Sequence, residues 1–123
     1  MTMAEAIQRT DGLIHNTYSQ AQKVQWLSHV DSTVKDHLLD THEDPPETAF
    51  AGYDPGTPLD TVLLVPEPYS DLYVRWLEAQ IHYYNGEYGK YNQALAMYNA
   101  DFGAYVNHYN RTHMPKGQHF RYF

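Results

Sequence analysis

The chain contains no cysteine, which removes disulfides, thiol catalysis and thiolate metal ligation together. It has no apolar run approaching the ~18 residues that a membrane-spanning helix needs. Met1-Thr2-Met3-Ala4-Glu5 lacks the basic and apolar regions of a signal peptide, so an intracellular start is expected. Basic residues are scarce, eight against fifteen acids, and none falls between positions 36 and 71, where nine of the acids lie. A body this acidic is a poor binder of duplex nucleic acid, which needs clustered Lys and Arg to neutralise phosphates. Proline is nearly confined to one window: six of seven (Pro45, Pro46, Pro55, Pro58, Pro66, Pro68) fall between Asp44 and Tyr69. No helix survives that density, whereas the flanking segments are free to be helical.

Aromatic residues and a seven-residue rhythm are abundant. Val74, Leu77, Ile81, Tyr84, Tyr88, Tyr91, Leu95, Tyr98, Phe102, Tyr105 and Tyr109 alternate three and four apart, the spacing that puts a set on one face of a helix. Ser70 is placed to cap this helix and Asp71 favours its positive end. The phase passes through Gly86 unchanged, so a single helix over about 70–110 is expected, roughly 55–60 Å long if straight. Gly86 and Gly89 are its weak points, and a break there into two helices is the alternative. Tyr-Asn recurs at Tyr84-Asn85, Tyr91-Asn92 and Tyr98-Asn99. The seam is flanked by Asn rather than by the charges of an ordinary coiled coil, which favours a core helix with a semi-polar contact face.

Two capping boxes open earlier helices. Thr2-Met3-Ala4-Glu5 starts a short one over about 3–11, with Gly12 as its stop. Ser19-Gln20-Ala21-Gln22 starts a medium one over about 19–42, with Val24, Leu27, Val30, Val34 and Leu38 on its apolar face. The 44–69 segment is expected to be a loop or small β-hairpin, pairing 49–53 with 61–65 through the Pro55-Gly56 turn. Thr61-Val62-Leu63-Leu64-Val65 is too apolar to be left in water, so burial against the long helix or a neighbouring subunit is expected. The fold class is therefore all-α: one domain over 1–110 carrying this Pro-rich insertion, followed by a basic aromatic tail, 111–123.

Catalytic and metal-binding patterns are missing from the sequence. No two of the eight histidines stand three or four apart, the spacing that sets two imidazoles on one helical face, and no metal or cofactor site is expected. Asp36/Asp40 and Glu43/Asp44 read as a solvated acidic patch rather than as a catalytic pair in an apolar pocket. Phosphate loops, nucleophile elbows and dinucleotide fingerprints are absent, so no catalytic residue is assigned. The tail (Arg111, Lys116, Phe120, Arg121, Tyr122, Phe123) is too aromatic for a disordered end and reads as an anchor for a neighbour. With Tyr84, Tyr88, Tyr91, Tyr98, Tyr105 and Tyr109 it makes up the candidate assembly interface.

Three stretches carry a family resemblance: Asp71-Leu72-Tyr73 onward, Ile81-His82-Tyr83-Tyr84-Asn85-Gly86-Glu87-Tyr88, and Tyr109-Asn110-Arg111-Thr112-His113-Met114-Pro115-Lys116. Asn16-Thr17-Tyr18-Ser19, Trp26-Leu27 and Thr57-Pro58-Leu59-Asp60 fit as well, so the likeness covers essentially the whole chain. It resembles small head-morphogenesis proteins of tailed phages and prophages of Gram-positive bacteria. The resemblance implies a head–tail connector, or adaptor, a mostly helical virion protein assembled in the host cytoplasm. It would form an oligomeric ring, commonly twelvefold, between the portal protein and a tail-side or stopper protein, with only passive contact to passing DNA. It hands over no active-site residues. The alternatives are another minor capsid or head-completion role, a helical protein binding a host partner through its tyrosines, or a carboxylate enzyme.

Overall fold

A computed structural model describes residues 1–37 and 52–112. The protein is all-helical: α1 spans Met3–Leu13, α2 Gln20–His37, α3 Asp71–Tyr84 and α4 Tyr88–Thr112. Both early capping sites form. The Thr2 side chain accepts the Glu5 N–H while the Glu5 carboxylate accepts the Thr2 N–H, each at 3.2 Å. The Ser19 hydroxyl accepts the Gln22 N–H at 3.1 Å, but the Gln22 side chain turns toward Gln25 instead of back to the cap. Helix α1 runs through Gly12 rather than stopping there, and its last turn closes with Ile14 N–H on the Thr10 carbonyl at 2.9 Å. Residues 38–42 of the expected second helix lie outside the described residues.

The expectation of one helix over 70–110 is overturned. Gly86 sits at φ 79, and two hydrogen bonds close around it: Gly86 N–H to Tyr83 O at 3.1 Å and Glu87 N–H to His82 O at 2.8 Å. This is the Schellman pattern, which ends a helix on a left-handed residue and frees the chain to turn. The ring contacts then run in opposite directions on the two helices. Tyr83 meets Tyr91 at 5.3 Å, Trp76 meets Tyr98 at 4.9 Å, and Tyr69, just ahead of α3, meets Tyr105 at 5.7 Å. Each step of seven back along one arm meets a step of seven forward along the other, so α3 and α4 form an antiparallel hairpin. The α4 members of the stripe, Tyr91, Tyr98 and Tyr105, meet Tyr83, Trp76 and Tyr69, which lie off the α3 stripe. Leu77 and Ile81 enter the common core and Tyr84 stacks on Trp26, so the continuous heptad phase does not mark one rod.

The Ser70 cap is a second correction. Ser70 takes a helical conformation, φ −69 and ψ −13, and makes no side-chain cap bond. A cap hydroxyl reaches the first free N–H groups from extended backbone, which Ser70 lacks. Its hydroxyl is buried without a hydrogen-bond partner.

Within the described part of the Pro-rich segment the chain is a loop, and 61–65 pairs with the start of the protein. Met3 N–H bonds Thr61 O at 3.1 Å, Ala4 N–H bonds Leu59 O at 3.0 Å, and Leu63 N–H bonds Met1 O at 2.9 Å. Two donors that the first turn of α1 cannot satisfy internally are thereby satisfied by the loop. The result is one isolated antiparallel bridge, Thr2 with Val62, and no strand among the described residues. Residues 49–51 of the expected hairpin partner lie outside that description. Leu63 and Val65 enter the core with Met3, Leu27, Val30, Leu72, Leu77 and Ile81, while Val62 faces solvent.

Candidate interaction surface

The stripe of tyrosines divides at the hairpin corner. Tyr98, Tyr105 and Tyr109 are buried between α4 and its neighbours, and Tyr91 is half-buried. Burial pushes the Tyr98 and Tyr105 hydroxyls up to about 12. Tyr84 and Tyr88 remain 59% and 61% exposed, with Tyr83, which the periodicity did not single out, between them. Tyr83 contacts Tyr84, Tyr88 and Tyr91 at ring separations of 5.2, 5.8 and 5.3 Å, and Tyr84 stacks on Trp26 at 5.8 Å and 16°. The Tyr18 hydroxyl donates to Asn85 Oδ1 at 2.7 Å, tying the linker before α2 to the corner. Glu87 fastens the turn through His82 at 3.3 Å and Lys90 at 3.1 Å, and these hydrogen bonds hold its carboxyl below the ordinary range. The structure thus gathers Tyr84 and Tyr88 at one exposed corner and gives Tyr98, Tyr105 and Tyr109 to the core. Arg111 is exposed at the end of α4, whereas Lys116, Phe120, Arg121, Tyr122 and Phe123 lie outside the described residues.

The outer face of α4 has its own character. Gln93, Ala96, Met97, Ala100, Gly103, Ala104 and Asn107 face solvent, and between Lys90 and Arg111 the only Asp, Glu, Lys or Arg on the helix is the half-buried Asp101. A solvated helix face of this length ordinarily carries interspersed charges.

A buried cluster of perturbed groups centres on a residue that the sequence patterns did not single out. Asp31 is fully buried on the apolar side of α2. Its Oδ1 accepts the Tyr73 hydroxyl at 2.5 Å. Its Oδ2 accepts the Leu64 N–H at 3.1 Å and also the Tyr53 hydroxyl. The Tyr73 oxygen in turn accepts the Val65 N–H at 2.8 Å. Burial raises the Asp31 carboxyl above the ordinary range even though all three hydrogen bonds pull the other way. Burial, and then the adjacent carboxylate, push both phenols above the usual tyrosine range. The arrangement ties α2, the 53–65 loop and α3 together. With both oxygens engaged and no solvent access, it is a structural junction.

Lys23 is also buried, with its Nζ 2.8 Å from Asp11 Oδ1. Burial would raise Asp11, but the bonds from Lys23 and Asn16 outweigh it and hold the carboxyl below its usual range. Of the acidic pairs Asp36/Asp40 and Glu43/Asp44, Asp36 is exposed, while Asp40, Glu43 and Asp44 lie outside the described residues. Among the described residues no group of three or more His, Asp or Glu converges to hold a metal. No helix among them is long and apolar enough to cross a membrane.

Fold and surface define a small all-α protein whose distinctive features are an aromatic corner and an uncharged helix face. No family model, curated protein or solved structure matches the chain.

Proposed function

We propose that this is a structural assembly protein, a head–tail connector of the tailed-phage type whose copies pack side by side as a ring at the portal vertex. The observation that carries the reading is the outer face of α4. Ala96, Ala100, Gly103 and Ala104 are small enough to let another helix approach closely, and Gln93 and Asn107 supply hydrogen bonds without net charge. The exposed Tyr83, Tyr84 and Tyr88 at the corner of the same hairpin add a second, separate set of rigid amphipathic rings, the residue type favoured at protein contacts. The family resemblance of the 71–88 and 109–116 segments supplies the virion context: portal protein on one side, a tail-side or stopper protein on the other. The proposed mechanism is assembly without chemistry.

Native mass spectrometry of the wild type and of Ala100→Glu, each alone and mixed with the portal protein, tests it. The wild type is expected to form a ring in at least one of the two conditions. Ala100→Glu, which sets a charge on the exposed face without entering the core, is expected to stay monomeric with an unchanged melting curve. A wild type monomeric in both conditions, or an Ala100→Glu ring, overturns the proposal.

A further inference from the structure

We infer that the trough between α2 and the C-terminal half of α3 binds a neutral oligosaccharide built of gluco-configured pyranose rings. This inference goes beyond the assembly reading and shares Tyr84 with it. The trough, about 260 Å³, lies beside the aromatic corner and is bounded by two stacks of planar groups. In one, Tyr84 lies on Trp26 at 5.8 Å and 16°; in the other, His29 lies on Trp76 at 5.4 Å and 11°. The stacks are fastened to each other, because Trp76 Nε1 donates to the Trp26 carbonyl at 3.1 Å. The rings therefore stand in place before any ligand arrives, which lowers the ordering cost of binding. Tyr84 keeps most of its surface in solvent at the rim, so it offers a platform as well as a wall.

Gln22, Gln25 and Gln80 line the same trough. A glutamine amide presents a donor and an acceptor side by side. That pair matches two neighbouring hydroxyls, each of which both donates and accepts. Gln22 and Gln25 approach each other only at 3.5 Å, so their amides are loosely committed. No Lys, Arg, Asp or Glu lines the trough, so a phosphate or carboxylate finds no fixed charge there. A pyranose with equatorial hydroxyls has what the trough selects: a flat C–H face for the exposed side of Tyr84 and a rim of hydroxyls for the amides. The volume is small beside the ~300–1,000 Å³ of drug-sized pockets, which suits one or two rings of a longer chain.

A proline-rich peptide is the other ligand that aromatic grooves take. Such a strand offers carbonyls and few N–H groups, so the acceptor halves of three amides would go unused. The indole N–H of Trp76, well placed to donate to it, is already held by Trp26.

The protein's two tryptophans both line the trough, so tryptophan emission excited beyond tyrosine absorption is sensitive to this site. Cellotetraose, chitotetraose and a proline decapeptide are each titrated into the full chain. The expected result is a saturable shift in tryptophan emission with at least one sugar and none with the peptide. Tyr84→Ala is expected to weaken sugar binding roughly tenfold or more, by loss of the stacking platform. Gln80→Leu, which keeps the bulk and removes the amide, is expected to weaken it too, with both variants melting as the wild type does. Absence of saturation with both sugars, affinity unchanged in both variants, or saturation by the peptide alone overturns the inference.

Discussion

Asp31 shows how one side chain can organise three segments and yet leave no local mark in the sequence. Its hydrogen-bonding partners stand 22, 33 and 42 positions away, so no short window contains the junction. The one available hint was an acid set among Val24, Leu27, Val30 and Val34, where a helix otherwise turns apolar residues inward. The caps at Thr2 and Ser19 were legible for the opposite reason, since each bonds a group three residues along its own chain. Ser70 carried the same cap signature and failed, because whether a hydroxyl can reach depends on a backbone angle that neighbouring packing sets.

The junction makes a prediction about pH. A carboxyl whose folded pKa is raised contributes stability that is fully present below its unfolded value and is lost as pH rises through the folded value. Asp31→Asn removes that titration and leaves at least one phenol without its acceptor, at a cost of about 1–3 kcal/mol. The deficit relative to wild type should be greatest at the acidic end and shrink as pH rises above the ordinary carboxylate range. Urea unfolding of both proteins at a series of pH values measures it; a deficit that is flat or grows with pH would sink the assignment.

Among the elements, the hairpin corner is where sequence and structure part company. A heptad phase running through Gly86 without a slip fits a single rod and fits an antiparallel pair equally well, because each arm of a pair needs one inward stripe. Gly86 and Gly89 look alike in the sequence, yet only Gly86 has a positive φ. Neither position is crowded, since a methyl at either would meet nothing within 4 Å. The two glycines should therefore respond oppositely to alanine. Gly86→Ala forces a side chain into left-handed backbone and should destabilise by about 1 kcal/mol. Gly89→Ala, inside the first turns of α4, should stabilise by up to about 1 kcal/mol. Denaturant midpoints of the two variants give both signs in one experiment, and a shared sign would contradict the turn.

For the whole molecule, the all-helical class was readable because the amphipathic periods are long and proline is fenced into one window. The loop's partner was not readable: bonding of 59–63 to residues 1–4 depends on a mid-chain loop meeting the first turn of α1, which no periodicity encodes. The described core is built from residues between Met3 and Tyr109, so a chain ended after Thr112 should keep its cooperative melt. If the basic aromatic tail anchors a neighbour, as its composition suggests, the same truncation should abolish the ring in native mass spectrometry. A truncated protein that still assembles as the full chain does would remove the tail from the mechanism.

The aromatic rungs of the hairpin, Tyr83 on Tyr91, Trp76 on Tyr98 and Tyr69 on Tyr105, also set a unit of length. Lengthening one arm alone leaves its new turns without a partner, and a change of one or two residues swings every later ring off the seam. Only matched insertions or deletions of a heptad in both arms preserve the facing, each worth about 10 Å along the axis. The hairpin is thus a ruler graduated in heptads, able to change reach in steps while its inner face stays the same.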